Sequence, residues 1–152
     1  MKIQIENRQT GIKIDRRRIR GTVLKVLKIL DCANKEISIS FTDDKNIKKL
    51  NEQYLGRNKP TNVLSFSLQE GEYGNINPQT LGDVVISVET AQKDAMQGEL
   101  TFEQEIDFLI IHGILHLLGY NHENTTAEET KKMIRKEKEL FNKINCGNNI
   151  LI

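Results

Sequence analysis

The sequence is sparing in several features, and each scarcity excludes something. There are two cysteines, Cys32 and Cys146. They lie far apart and form no CxxC, so the reading is two free thiols in a reducing compartment. Charge is nearly balanced at +1, which leaves no global basic field to announce a nucleic-acid partner; any such binding must use local patches. A long apolar run is also missing. The longest, Phe108 to Leu118, contains two histidines and falls short of the roughly 20 residues of a membrane span. Residues Met1 to Glu6 alternate polar and apolar with no apolar h-region, so no signal peptide is expected and the expected location is the cytoplasm. No internal repeat or low-complexity segment occurs. What remains, 152 residues with 38% hydrophobic and 28% charged, is ordinary for a globular chain and sufficient for one domain with a core of its own.

Hydrophobic patterning divides the chain into alternating strands and helices. Residues 2–6, 36–41, 62–68 and 83–88 read as strands. The first three alternate in polarity, and Val84-Val85-Ile86-Ser87-Val88 is apolar on successive residues, as in a strand covered on both faces. Helices are expected over about 16–31 (capped by Asp15), from Thr42 or Asp43 to Tyr54, over 89–97, over 101–118, and from a Thr125–Glu128 capping box to Ile144. Met133, Ile134, Phe141 and Ile144 should face the core from the last of these. Residues 69–80 and the loop 55–61, with their Gly and Pro, read as connections, and the tail 145–152 has no assigned element. The fold class is therefore α/β: one domain over residues 1–152, with a four-stranded, mostly parallel mixed sheet and about five helices. Arg16, Arg17, Arg18 and Arg20 open the first helix, either as a solvated basic edge or as a patch facing a phosphate backbone.

Histidine is scarce too, and its placement is informative. All three lie in His112-Gly113-Ile114-Leu115-His116-Leu117-Leu118-Gly119-Tyr120-Asn121-His122. His112 and His116 are i, i+4 neighbours on one helix face. Gly119 ends the helix and lets His122 return toward the same point. Three imidazoles can hold one zinc ion and leave a position for water, whose pKa then falls from 15.7 to about 7. The H-x-x-x-H-x-x-G-x-x-H spacing is that of metzincin proteases. Their general-base glutamate follows the first histidine, and here that position is Gly113. A helical glycine costs about 1 kcal/mol against alanine, and its expected return is room for a close neighbour or for substrate.

The same stretch resembles the HGxLHLxGYDH signature of the YbeY family of rRNA maturation factors. Asn51 through Phe66 is similar to that family's NxxYRxKDxPTDVLSF, and Leu81 through Ser87 to its LGDIVIS strand. The resemblance implies a zincin-like metal helix and one zinc on His112, His116 and His122. It implies a cytoplasmic, single-strand-specific endoribonuclease of 16S rRNA 3′-end maturation and ribosome quality control. Its partners would be 16S precursor RNA and the small ribosomal subunit, with no DNA and no membrane. The family's arginine falls on Leu55 and its lysine on Arg57, so either the catalytic and phosphate-binding role passes by a two-residue shift to Arg57, with Lys59 as a second phosphate-binding cation, or Arg57 is an exposed loop cation. Family aspartates are replaced by Asn58, Asn62 and Asn121. Asp83, Glu89 and Glu123 are candidate proton-transfer groups. Two other readings stay open at this point: a zinc peptidase, and a non-catalytic ribosome-assembly factor with a structural metal.

Overall fold

The computed structural model describes residues 3–68, 79–120 and 125–145. In chain order the elements are β1 (Ile3–Asn7), α1 (Arg16–Ile29), β2 (Glu36–Thr42), α2 (Asp44–Leu55), β3 (Val63–Ser67), β4 (Thr80–Ser87), α3 (Val88–Gln97), α4 (Phe102–Leu117) and α5 (Ala127–Asn145). The sheet order is β1-β2-β4-β3. β1 pairs with β2 and β2 with β4 in parallel, and β3 closes the far edge antiparallel to β4. This is the four-stranded mixed sheet with five helices expected from the pattern. β4 starts three residues before the expected 83–88, because Thr80 and Gly82 pair with β2, and Gly82 also with β3, ahead of the apolar run. The expected loop lies, for residues 69–78, outside the described residues, as does the tail beyond Asn145.

Local signals place the helix ends. Asp15 Oδ1 accepts from the Arg18 N–H, and Asp43 Oδ1 from the Asn46 N–H. Thr101 and Gln104 form a complete capping box at α4. At α5 the cap lies one residue later than the Thr125–Glu128 pattern: Thr126 Oγ1 accepts from the Glu129 N–H, and the Thr125 hydroxyl donates to the Glu129 carboxylate. Adjacent threonines and glutamates make the two registers equivalent in sequence; α5's packing selects one.

The main core lies on one face of the sheet. Ile3, Ile5, Ile37, Ile39, Val84 and Ile86 meet α1, α4 and α5 there, and α3 joins through Val88 and Ala91. α5 contributes Met133, Leu140 and Phe141, whereas Ile134 is exposed; the buried position between them belongs to Glu137. On the other face, among the described residues, only α2 packs, with Ile47 and Leu50 over Leu64, Val85 and Phe66. The rest of that face is an open groove lined by Gln4, Glu6, Ser38, Ser40 and Asp83. No helix among the described residues is long and apolar enough to cross a membrane. Cys32 is a free, half-buried thiol, and Cys146 lies outside the described residues.

The arginines at the start of α1 are largely committed within the fold. Arg16 and Arg20 donate to the carbonyls of Ile5 and Ile3 at 3.2 and 2.7 Å, covering acceptors of the edge strand β1 that would otherwise invite another strand. Arg18 pairs with Asp107 of α4 at 2.7 Å, and Thr22 adds a hydrogen bond to the same carboxylate at 3.0 Å.

Glu105, also on α4, is buried without such a cation among the described residues. Burial first, and then the Asp94 carboxylate, push its pKa up from 4.5 to about 7. The folded state thus binds a proton more tightly than the unfolded chain. Glu105's contribution is fully favourable below pH 4.5 and is lost as pH rises through about 7. Glu105→Gln should therefore gain about 1–2 kcal/mol at pH 8, allowing for partial solvation, and show a flatter stability profile from pH 5 to 8. Urea midpoints at the two pH values measure this; an unchanged slope would refute it.

Candidate metal centre

α4 is buried on nearly all sides, and its two histidines are its polar interruption near the C-terminal end. Its stop is a Schellman motif: the Gly119 N–H donates to the His116 carbonyl and the Tyr120 N–H to the Leu115 carbonyl, both at 3.0 Å. Gly119 has φ +96°, a conformation side chains disfavour and glycine accepts. β3 fixes the helix lengthwise, with the Ser65 hydroxyl donating to the Gly113 carbonyl at 3.3 Å and the Ser67 hydroxyl to the Leu117 carbonyl at 3.2 Å.

The i, i+4 spacing brings the Nε2 atoms of His112 and His116 to 3.1 Å from each other. Two nitrogens bound at 2.0–2.1 Å to one tetrahedral zinc are separated by about 3.3 Å, so the donor set fits such an ion. His122, the third expected ligand, lies outside the described residues with Asn121 and Glu123. Among the described residues no group of three metal-ligating side chains is assembled. The side chain that sequence reasoning missed is Glu137 of α5, whose Oε1 is 2.6 Å from His112 Nδ1. Its one hint in the sequence was an acidic position among the apolar residues Met133, Leu140 and Phe141 of the helix.

Phe108 stacks beside the His112 ring at 6.2 Å and 29°, and Phe141 meets Phe108 edge-on. One wall of the pair is therefore apolar. Arg57 and Lys59 sit in the exposed connection between α2 and β3. Gly56 caps α2 in the left-handed conformation, and buried Asn51 braces the connection by donating to the Lys59 carbonyl at 2.9 Å. Leu55 is exposed at the end of α2.

Two candidate proton carriers have other roles. Asp83 alternates with Val84 along β4. Val84 points at Gly113 of α4, so Asp83 projects into the groove on the opposite face, away from the histidines. Burial there raises its pKa, and a hydrogen bond to Ser38 opposes the rise. Glu89 accepts the Asp44 N–H at 2.8 Å and caps α2.

Gly113 gives room to a neighbour and not to substrate. A Cβ at this position would lie 2.7 and 2.9 Å from the two Val84 methyls, and Val84 is fully buried. Gly113→Ala gains about 1 kcal/mol of helix propensity and incurs about 1–3 kcal/mol of overpacking. The expected net loss is about 1 kcal/mol, read from urea denaturation; a variant more stable than the parent would contradict this packing.

Residues 4–145 match the family model described as Endoribonuclease YbeY. The chain is 57% identical over 141 residues to the Endoribonuclease YbeY of Syntrophus aciditrophicus, covering 93% of this chain and 88% of that one. It is 42% identical to that of Geobacter metallireducens, covering 93% and 94%. The solution structure of TM1509 from Thermotoga maritima is similar with a TM-score of 0.65 at 26% identity, covering 95% of this chain and 90% of that one.

Proposed function

The chain belongs to the YbeY endoribonuclease family, and on that premise we propose that it is a zinc-dependent endoribonuclease that cuts single-stranded RNA in 16S rRNA 3′-end maturation and ribosome quality control. The observation that carries the metal part is the convergence of His112 and His116 Nε2 at 3.1 Å. His112, His116 and His122 would hold one zinc ion. Such an ion supplies Lewis acidity at a phosphoryl group and an acidified water.

The chain's own residues supply positioning and charge. Arg57 offers a planar guanidinium for two parallel hydrogen bonds to a phosphate, and Lys59 a compact point charge beside it. Asn51 holds the backbone between them and leaves both side chains facing outward. Phe108 shields one side of His112 from water. We infer that substrate is 16S precursor RNA on the small ribosomal subunit in the cytoplasm, read from family membership and not from a global basic surface, since net charge is +1.

A zinc peptidase is disfavoured by a particular contact. The glutamate such an enzyme needs after its first histidine would have to occupy the volume of Val84. The test is digestion of 16S precursor RNA and a peptide library by chelator-stripped and zinc-restored protein, with His116→Ala alongside. Cleavage of RNA that returns with zinc supports the proposal. Peptide cleavage alone would overturn it.

A further inference from the structure

We propose that Glu137 is the positioning residue of the histidine pair: its carboxylate keeps the His112 proton on Nδ1 and so presents Nε2 as a lone pair for a divalent cation. The inference rests on the zinc reading above and deepens it. Three observations carry it. Glu137 Oε1 is 2.6 Å from His112 Nδ1, and among the described residues this is the glutamate's one hydrogen-bond partner. The carboxylate is buried, and its nearest buried neighbours along the helix stripe, Met133, Leu140 and Phe141, are apolar. The nitrogen that Glu137 does not touch is the one that faces His116 Nε2.

The chemistry follows from the donor inventory. An ionised carboxylate only accepts hydrogen bonds, so at this contact the hydrogen belongs to Nδ1. A neutral imidazole carries one N–H, which leaves Nε2 with its lone pair. α5 also constrains the ring through packing. Phe141, one turn beyond Glu137, meets Phe108 edge-on, and Phe108 stacks on His112. The glutamate thus selects the tautomer, and the aromatic pair limits rotation of the ring away from His116. A carboxylate hydrogen-bonded to a ligating histidine also raises its basicity.

The test compares Glu137→Leu, which fills the buried volume without an acceptor, with Glu137→Gln, which retains an amide oxygen in the same place. Zinc affinity is measured by competition with a chromophoric chelator, and the His112 tautomer in the metal-free proteins by ¹⁵N NMR. The wild type should show the Nδ1–H form. Glu137→Leu should bind zinc about 10–100-fold more weakly and lose that single tautomer, with Glu137→Gln recovering much of both. Zinc binding by Glu137→Leu within about twofold of wild type would overturn the positioning role and leave the zinc reading intact. A wild-type protein that takes up no zinc would overturn both.

Discussion

His116→Ala should fold, lose its zinc, and cleave single-stranded RNA more than about 100-fold more slowly than wild type, the scale for removing one transition-state electrophile. The position favours folding: alanine is the best helix former, and the Gly119 cap of α4 uses the His116 backbone carbonyl and not its ring. The loss falls on the metal. Without the second ring, His112 Nε2 faces an empty position in place of a partner at 3.1 Å, and two expected ligands cannot retain an ion that takes four. Metal analysis should give about one zinc per wild-type chain and close to none in the variant. Chelator treatment of the wild type should reproduce the variant's rate, and added zinc should restore only the wild type. A His116→Ala protein that cleaves RNA normally without zinc would end the metal-dependent reading.

Arg18→Ala should be the most damaging single change to stability outside the apolar core. It strips the cation from Asp107, whose side chain is 1% exposed. Breaking a buried pair from one side costs about 3–5 kcal/mol because the remaining charge is left without a partner. Arg18 itself is one-third exposed, which places the expectation near the lower end, about 3 kcal/mol, or roughly 6–12 °C in Tm for a chain of this size. Thr22 still donates to Asp107, so some of the carboxylate's demand remains met. The double variant Arg18→Met, Asp107→Leu should recover most of the loss, since an apolar pair replaces a buried ion pair at little cost. A loss below about 1 kcal/mol for Arg18→Ala would show that water reaches Asp107 and replaces the cation. The same geometry leaves Arg17 as the member of the opening basic run on α1 whose side chain has no described tie to the fold.

The family relationship sharpens the value of the loop before β3. The resemblance set an arginine against Leu55 of this chain, and Arg57 stands two residues on. Gly56 ends α2 between these two positions. Leu55 therefore belongs to the helix, and Arg57 to the connection held by Asn51. Arg57 is the side chain through which the proposed phosphate role is to be tested.

Sequence alone determined the elements and most of their ends, because these depend on neighbours within a turn or two; the start of β4 and the cap of α5 were settled by pairing and packing. Alternation marked the strands, Asp15 and the Thr101–Gln104 box marked helix starts, and Gly119 marked the stop of α4. The i, i+4 histidine pair was legible for the same reason: helical geometry alone makes these rings neighbours. Tertiary structure decided everything that required choosing a partner from a distant segment. It paired Arg18 with Asp107 across 89 residues and Glu137 with His112 across 25. It also turned Gly113 toward Val84 and sent Asp83 to the opposite face of the sheet. A residue's own neighbourhood in sequence carries no record of which surface will pack against it. That choice is made when whole faces are buried together, and here it separates the side chains that organise the histidine pair from those that only share its chemistry.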